Sequence, residues 1–315
     1  MSLPEVVTAG ETMLLALPTQ PGRLRHAQDL QLRVGGAESN FAISLSRLGI
    51  SAGWMGYVGA NETGRMVIDR LRGEGVDTSR VSMIEGSNTG LYLREKLGQE
   101  VRVYYYREGS AASMMAPGAF DAGYMDGAKF LHLTGITPAL SDGCRDFVKW
   151  LVEEGKSRGV GISFDVNYRS KLWSPEDCRE FIEEILPAVD VLFVSEEEAE
   201  ALWGTSDREL LTKLSSEGPT EILLKRGGRG CQALIDGGFL EQGAFEVSEV
   251  DPVGAGDAFA AGYIAGGLWN TSLEERLRIA NAMGACSIMT LGDYEGLPDR
   301  EELETFAGGA KRLGR

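Results

Sequence analysis

Short apolar runs alternate with amphipathic stretches along most of this chain, and glycine marks many of the handovers between them. Glu5 to Ala9 reads as a short strand ended by Gly10-Glu11. Met13 to Leu17 and Leu30 to Val34 alternate in β fashion across a connection that bears Pro and Gly. Phe41, Ile43, Leu45 and Leu48 mark a helix closed by Gly49. Ala52 to Val58 is the next strand, and Glu62 to Arg72 the next helix. Val81 to Ile84 and Thr89 to Glu95 return to β, with Val101 to Arg107 as a hairpin partner across Lys96 to Glu100. In that last strand Tyr104 and Tyr106 share one face and Tyr105 the other. This suits a small half-solvated sheet that covers a ligand, and equally suits plain cross-strand packing.

From Phe130 onward strand and helix alternate, which predicts an α/β fold with a mostly parallel sheet covered on both faces. Phe130 to Thr134, Gly161 to Val166, Asp190 to Val194 and Glu221 to Lys225 are the strands, and Cys231 to Ile235 is a further β segment after an Arg226 to Gly230 turn. Asp142 to Ser157 and Glu196 to Leu202 are helices, as are Asp257 to Trp269 and Leu273 to Met289 near the end. In open sheets of this kind the ligand crevice lies at the carboxyl ends of the strands. Arg169, Ser195 and Lys225 each follow a strand at that edge. Singly, each reads as a surface residue; together they read as the lining of one crevice.

The stretch Asp251-Pro-Val-Gly-Ala-Gly-Asp257 is a glycine turn opening into a small-residue helix. Gly254 and Gly256 let an anion approach the main chain, and the first helical N–H groups point at it with the helix dipole behind them. Asp257 beside such a hole repels an anion, yet suits taking a proton from an attacking hydroxyl. The alternative is that Asp257 merely caps the helix. Phe259 stands where a dinucleotide fingerprint needs its third glycine, and the Gly155-Lys-Ser157 run ends a helix, so neither common nucleotide loop is present. Gly35-Gly36 is a second place where a strand hands over to a helix, either as a ligand contact or as a plain turn.

Composition narrows the partners. The net charge of −16 argues against nucleic acid or an anionic membrane surface, so an anionic substrate needs cations brought in locally. The 42 glycines, about twice the average usage, suit many tight turns. Cys144, Cys178, Cys231 and Cys286 show no metal spacing, and with only His26 and His132 a zinc site or a Ser-His-Asp triad is poorly supported. Buried thiols in a reducing cytoplasm are expected, with no signal peptide or apolar span.

Asp251-Pro-Val-Gly-Ala-Gly-Asp257-Ala-Phe and Gly35-Gly36-Ala-Glu-Ser-Asn40 resemble the two motifs of the ribokinase, or PfkB, family of sugar kinases, and the resemblance runs from about Val6 to Pro298. Tyr104 to Ala112, Thr134 to Leu140, Asp165 to Trp173 and Gly292 to Gly296 resemble, within it, the kinases of 2-keto-3-deoxygluconate. The resemblance implies one ribokinase-like domain over 1–315, a three-layer sandwich with a small β lid at about 12–34 and 89–107 that commonly serves as a dimer contact. It implies Asp257 as the base next to the anion hole Gly254, Ala255 and Gly256. Arg107 and Arg169 would bind the sugar acid's carboxylate and keto end, and Gly35, Gly36, Asn40, Tyr92, Tyr106 and Asp293 its hydroxyls and backbone. Ser195, Lys225, Gly227, Gly228, Gly230 and Asn281 would join the hole in holding ATP. Mg²⁺ would be organised through water by Glu198, and a monovalent cation is a further possibility. Ser195 departs from the family's Asn in its Asn-x-x-Glu pattern, which touches the metal assignment. A kinase of this fold for fructose or ribose, and an idle sugar sensor, stand as alternatives.

Overall fold

The computed structural model describes residues 3–20, 22–97 and 100–308. Pro21, in the expected Leu17–Leu30 connection, and Gly98-Gln99, in the hairpin turn, lie outside the described residues, as do the ends of the 1–315 span.

The first half of the chain runs β1 (Val6–Ala9), β2 (Met13–Pro18), β3 (Leu30–Gly35), α1 (Ala37–Arg47), β4 (Ala52–Gly59), α2 (Glu62–Gly73), β5 (Val81–Ile84), β6 (Leu91–Leu97) and β7 (Glu100–Tyr106). The regular alternation follows: β8 (Phe130–Thr134), α3 (Asp142–Ser157), β9 (Gly161–Asp165), α4 (Pro175–Ile185), β10 (Val191–Ser195), α5 (Glu196–Trp203), α6 (Arg208–Glu217) and β11 (Glu221–Lys225). The chain then closes through β12 (Cys231–Ile235), β13 (Gly238–Gln242), α7 (Ala255–Leu268), α8 (Leu273–Ser287) and α9 (Arg300–Ala307).

A nine-stranded sheet has the order β13-β12-β11-β10-β9-β8-β1-β4-β5. It is parallel from β5 through β11, and β12 and β13 add antiparallel at the far edge. Period-two alternation sends the side chains of each strand to two different cores. On β10, Val191 and Phe193 join Phe41 of α1, Ala258 of α7 and Leu277 of α8. Leu192 and Val194 face the other way, to Phe147 of α3, Phe181 of α4 and Leu210 of α6. The result is the expected three-layer α/β sandwich.

The lid is a separate four-stranded sheet, β3-β2-β6-β7, with its own core of Met13, Leu15, Leu17 and Tyr92. Strands β2 and β3 come from one stretch of the chain and β6 and β7 from another, joined where β2 pairs with β6.

Some elements carry signals that the sequence reading passed over. Ser174, Asp207 and Asp299 accept hydrogen bonds from first-turn N–H groups and so cap α4, α6 and α9. β13 pairs with β12 across Asp236-Gly237, both at positive φ (47° and 78°), the backbone that an Asp-Gly hairpin turn adopts. α7 starts at Ala255, two residues before the expected start, because Gly254 in the left-handed region is its N-cap. The four cysteines are free and buried, as expected. Burial lowers the pKa of His132 to about 3, so it is a neutral core group stacked on Phe41. Among the described residues no helix is long and apolar enough to cross a membrane.

Phe193 is fully buried, with its ring edge-on to Phe259 and Tyr263 of α7. Phe193→Ala is expected to lower unfolding stability by about 3–5 kcal/mol in a denaturant titration. A loss under about 1 kcal/mol would show that α7 does not depend on this contact.

Candidate active site

A cleft of about 830 Å³ opens between the lid and the carboxyl ends of the parallel strands. Glu11 follows β1, Asn167 and Arg169 follow β9, Ser195 ends β10 and Lys225 ends β11, and all of them line it. α1 contributes Asn40, and α7 presents its N-terminus at the floor. Every catalytic, substrate, nucleotide or metal candidate named from the sequence lines this cleft except Tyr106.

Asp257 lies between two amides. Asn40 Nδ2 donates to its Oδ2 at 2.8 Å, and Asn167 Nδ2 donates to its Oδ1 at 3.4 Å. No side chain caps α7, and the Asp257 carboxylate is turned toward α1 and the end of β9. The capping alternative is therefore excluded by geometry. Burial pushes the pKa of Asp257 up to about 7; the Asn40 hydrogen bond opposes that rise, the nearby Asp165 charge adds to it, and Arg169 and Lys225 oppose it. A carboxylate with a pKa near neutrality can hold or release a proton at working pH.

Asn167 was in view only as part of a strand end. It sits at φ 40°, a backbone that Asn tolerates better than most residues, and that local turn aims its amide at Asp257.

The glycine turn has the geometry expected of it. Gly254 has φ 85° and serves as N-cap, and a Cβ there would collide with the carbonyl oxygen of Asp293. The first N–H groups of α7 lack intrahelical partners by construction and open into the cleft. Asp293 is buried; its Oδ2 accepts from Tyr92 OH at 2.7 Å and its Oδ1 from Arg94 at 2.9 Å. A side chain on Gly35 would strike the Tyr92 hydroxyl and the Asp293 carboxylate, so this strand end must be glycine for the lid to seat.

One expectation changes, and several of the other residues have partners within the protein. Tyr106 is 62% exposed and points away from the cleft, whereas Tyr105, on the opposite face of β7, lines it and packs against Tyr92. Arg107 lines the cleft but is ion-paired with buried Glu11, whose other oxygen accepts from Ser110 at 2.6 Å. Lys225 Nζ contacts both oxygens of Asp165 at 2.8 Å. Burial alone would lower its pKa, but the Asp165, Glu198 and Asp257 charges raise it, so it stays charged. Ser195 and Glu198 form a capping box on α5: Ser195 Oγ accepts from Glu198 N, and Glu198 Oε2 accepts from Ser195 N at 2.8 Å. Glu198 Oε1 accepts from Tyr168 N at 3.0 Å, so both oxygens already hold backbone. Among the described residues no group of three or more His, Cys, Asp or Glu side chains is arranged to hold a metal ion. Asn281 donates to Cys231 Sγ and to the Leu277 carbonyl while facing the cleft.

Among the described residues Arg169 pairs with no carboxylate; its guanidinium donates only to the neighbouring Tyr168 carbonyl, at 3.0 Å. The arrangement thus offers an anion site, a proton acceptor and one uncommitted cation in a single cleft.

The sequence pattern of the pfkB family carbohydrate kinases matches residues 3–300. The chain is similar to a 2-dehydro-3-deoxygluconokinase of Bacillus subtilis, 36% identical over 96% of this chain and 95% of that one. A fructokinase of Zea mays is 31% identical over 95% of this chain and 96% of its own. An Escherichia coli ribokinase II candidate solved with ATP and Mg²⁺ superposes with a TM-score of 0.89 at 27% identity, covering 98% of this chain and 100% of that structure. With a family match over nearly its whole length, and with the cleft as described, the chain belongs to the pfkB family of carbohydrate kinases, with ATP as phosphoryl donor and Mg²⁺ as its metal.

Proposed function

We propose that the acceptor is 2-keto-3-deoxygluconate, phosphorylated at its terminal hydroxyl to 2-keto-3-deoxy-6-phosphogluconate. The observation that carries this reading is Arg169, a cation that among the described residues has no carboxylate partner, in the cleft that holds Asp257. Arg94, Arg107 and Lys225 also line the cleft, but each is neutralised by at least one acid. A neutral sugar gives Arg169 nothing to meet, whereas a sugar acid's carboxylate accepts its two-pronged hydrogen bond. The similarity to a 2-dehydro-3-deoxygluconokinase supports the same reading.

The sugar would lie on the lid side, against Gly35, Gly36, Tyr92 and Tyr105, with Arg107 and Asp293 as donors and acceptors at its edge. ATP would lie on the other side. The turn at Gly227, Gly228 and Gly230 and the apolar Phe245, Ala285 and Ile288 would flank its base, and the N–H groups at Gly254, Ala255 and Gly256 would hold its phosphates. Ser195, Lys225 and Asn281 would close that side. Mg²⁺, when bound with the nucleotide, would supply neutralisation of the transferred group, and Glu198 would help hold it through water.

In the transfer, the terminal hydroxyl gives its proton to Asp257, its oxygen bonds to the γ-phosphorus, and the bond from that phosphorus to the β-bridging oxygen breaks to release ADP. Asn40 and Asn167 keep the receiving carboxylate aimed into the cleft. The apolar outer face of the lid, with Leu30, Leu32, Tyr104 and Tyr106 exposed, supports a dimer contact there, and buried free thiols fit a cytoplasmic setting.

Asp257→Asn is expected to cut turnover by at least about a hundredfold while ATP still binds in calorimetry. Near wild-type turnover would remove Asp257 from the base's role. Because Asp257 must be ionised to accept the proton and its pKa is about 7, kcat/KM should fall as pH drops below about 7. The limiting slope is about tenfold per pH unit, and a flat profile down to pH about 5 would contradict the assignment. Arg169→Ala should raise KM for the sugar acid about tenfold or more, with KM for ATP little changed. ADP release across 2-keto-3-deoxygluconate, its galactonate epimer, gluconate, fructose and ribose tests the substrate directly. Preference for fructose or ribose would overturn the sugar-acid reading.

A further inference from the structure

Arg94 lies on β6 of the lid, yet it is among the most buried cations of the chain, with 2% of its side chain exposed. Its Nη2 donates to Asp251 Oδ2 at 2.6 Å and its Nη1 to Asp293 Oδ1 at 2.9 Å. The two carboxylates belong to different loops. Asp251 opens the segment that leads into the Gly254 turn, and it also accepts from Val253 N at 3.3 Å and from Gly292 N at 3.0 Å. Asp293 lies on the loop whose carbonyl packs against Gly254, and it is tied to the lid a second time through Tyr92. One guanidinium therefore joins the lid sheet to both walls of the anion site.

The charges explain why the link has to be a cation with a fork. Two buried carboxylates stand behind a site that binds an anion, and without a cation between them they repel one another and the incoming phosphates. An ammonium could face one carboxylate as a point charge, whereas the planar guanidinium places an N–H on each.

We propose that Arg94 is a positioning residue for phosphoryl transfer: an internal cation that holds the Asp251 and Asp293 loops at the spacing the Gly254–Gly256 anion site requires and couples that site to the lid. This rests on the reading of Gly254–Gly256 as the phosphate site. A soluble cation is then unnecessary at this place in the wild-type protein. Removing the side chain leaves a guanidinium-sized space bounded by two acids, which a small cation from solution can enter.

The test measures kcat/KM for Mg-ATP in the full chain and in Arg94→Ala and Arg94→Lys, with circular dichroism confirming the fold of each. The wild type is expected to keep its rate when tetramethylammonium replaces K⁺. Arg94→Ala should lose about a hundredfold or more, since a buried ion pair has lost one partner. Tens of millimolar guanidinium, far below denaturing concentrations, should return at least about tenfold of that loss to a variant already folded. Arg94→Lys should fall between the two, with the larger effect on KM for ATP.

A wild type that requires K⁺, an Arg94→Ala variant as active as the wild type, or a folded variant that guanidinium does not rescue would each overturn the proposal. If Arg94→Ala does not fold, Arg94→Lys decides, and wild-type kinetics in that variant would overturn it. Gly254→Ala separates the underlying reading: ATP binding as tight as the wild type's would displace the phosphate site itself, whatever the Arg94 variants show.

Discussion

Asp257 is held out of water by α1, α7 and the end of β9, and its two direct partners are neutral amides. Amides orient a carboxylate and offset its charge only in part, so burial outweighs the Asn40 hydrogen bond and the balance appears as a raised pKa. The surrounding cations relieve it only in part. Lys225 is turned to Asp165, and Arg169 is exposed, so its field is screened by solvent. Each neighbouring element is fixed by this arrangement: a shift of α1 or of the turn at Asn167 would alter both the aim and the basicity of the same group.

The two sheets have different tasks. The nine-stranded sheet supplies rigid strand ends between two packed cores, which suits groups that must stay within hydrogen-bonding distance of one another. The lid has a small core of its own and reaches the rest of the site through polar contacts, Tyr92 and Arg94 to Asp293 and Arg94 to Asp251. Polar contacts of this kind are directional, so the lid is located relative to the glycine turn and not merely laid over it.

Much of this was legible in the chain. The parallel strands and their helices follow from periodicity, and the Gly254 turn is local enough for a few residues to reveal it. Ser195-Glu-Glu-Glu198 also spells a capping box, a local signal that was passed over beside the resemblance. Tyr105 and Tyr106 could not be separated by pattern, because a half-solvated strand carries no apolar parity to say which face looks inward. Arg94 was beyond reach for another reason. Its partners are 157 and 199 residues away, and nothing near it in the chain marks a buried arginine.

The pairing of cations in the cleft has a consequence for how ligands arrive. In a chain of net charge −16, Arg94, Arg107 and Lys225 are each offset by neighbouring acids, and among the described residues Arg169 alone faces the cleft without a carboxylate partner. Seen from a distance, an anionic nucleotide approaches a like-charged body, as would the proposed sugar acid, and only within roughly a Debye length does the local cation outweigh it. Added salt then shortens the reach of the repulsion more than it weakens the short contacts inside. Encounter with this enzyme is a climb against the field followed by capture, the reverse of electrostatic steering.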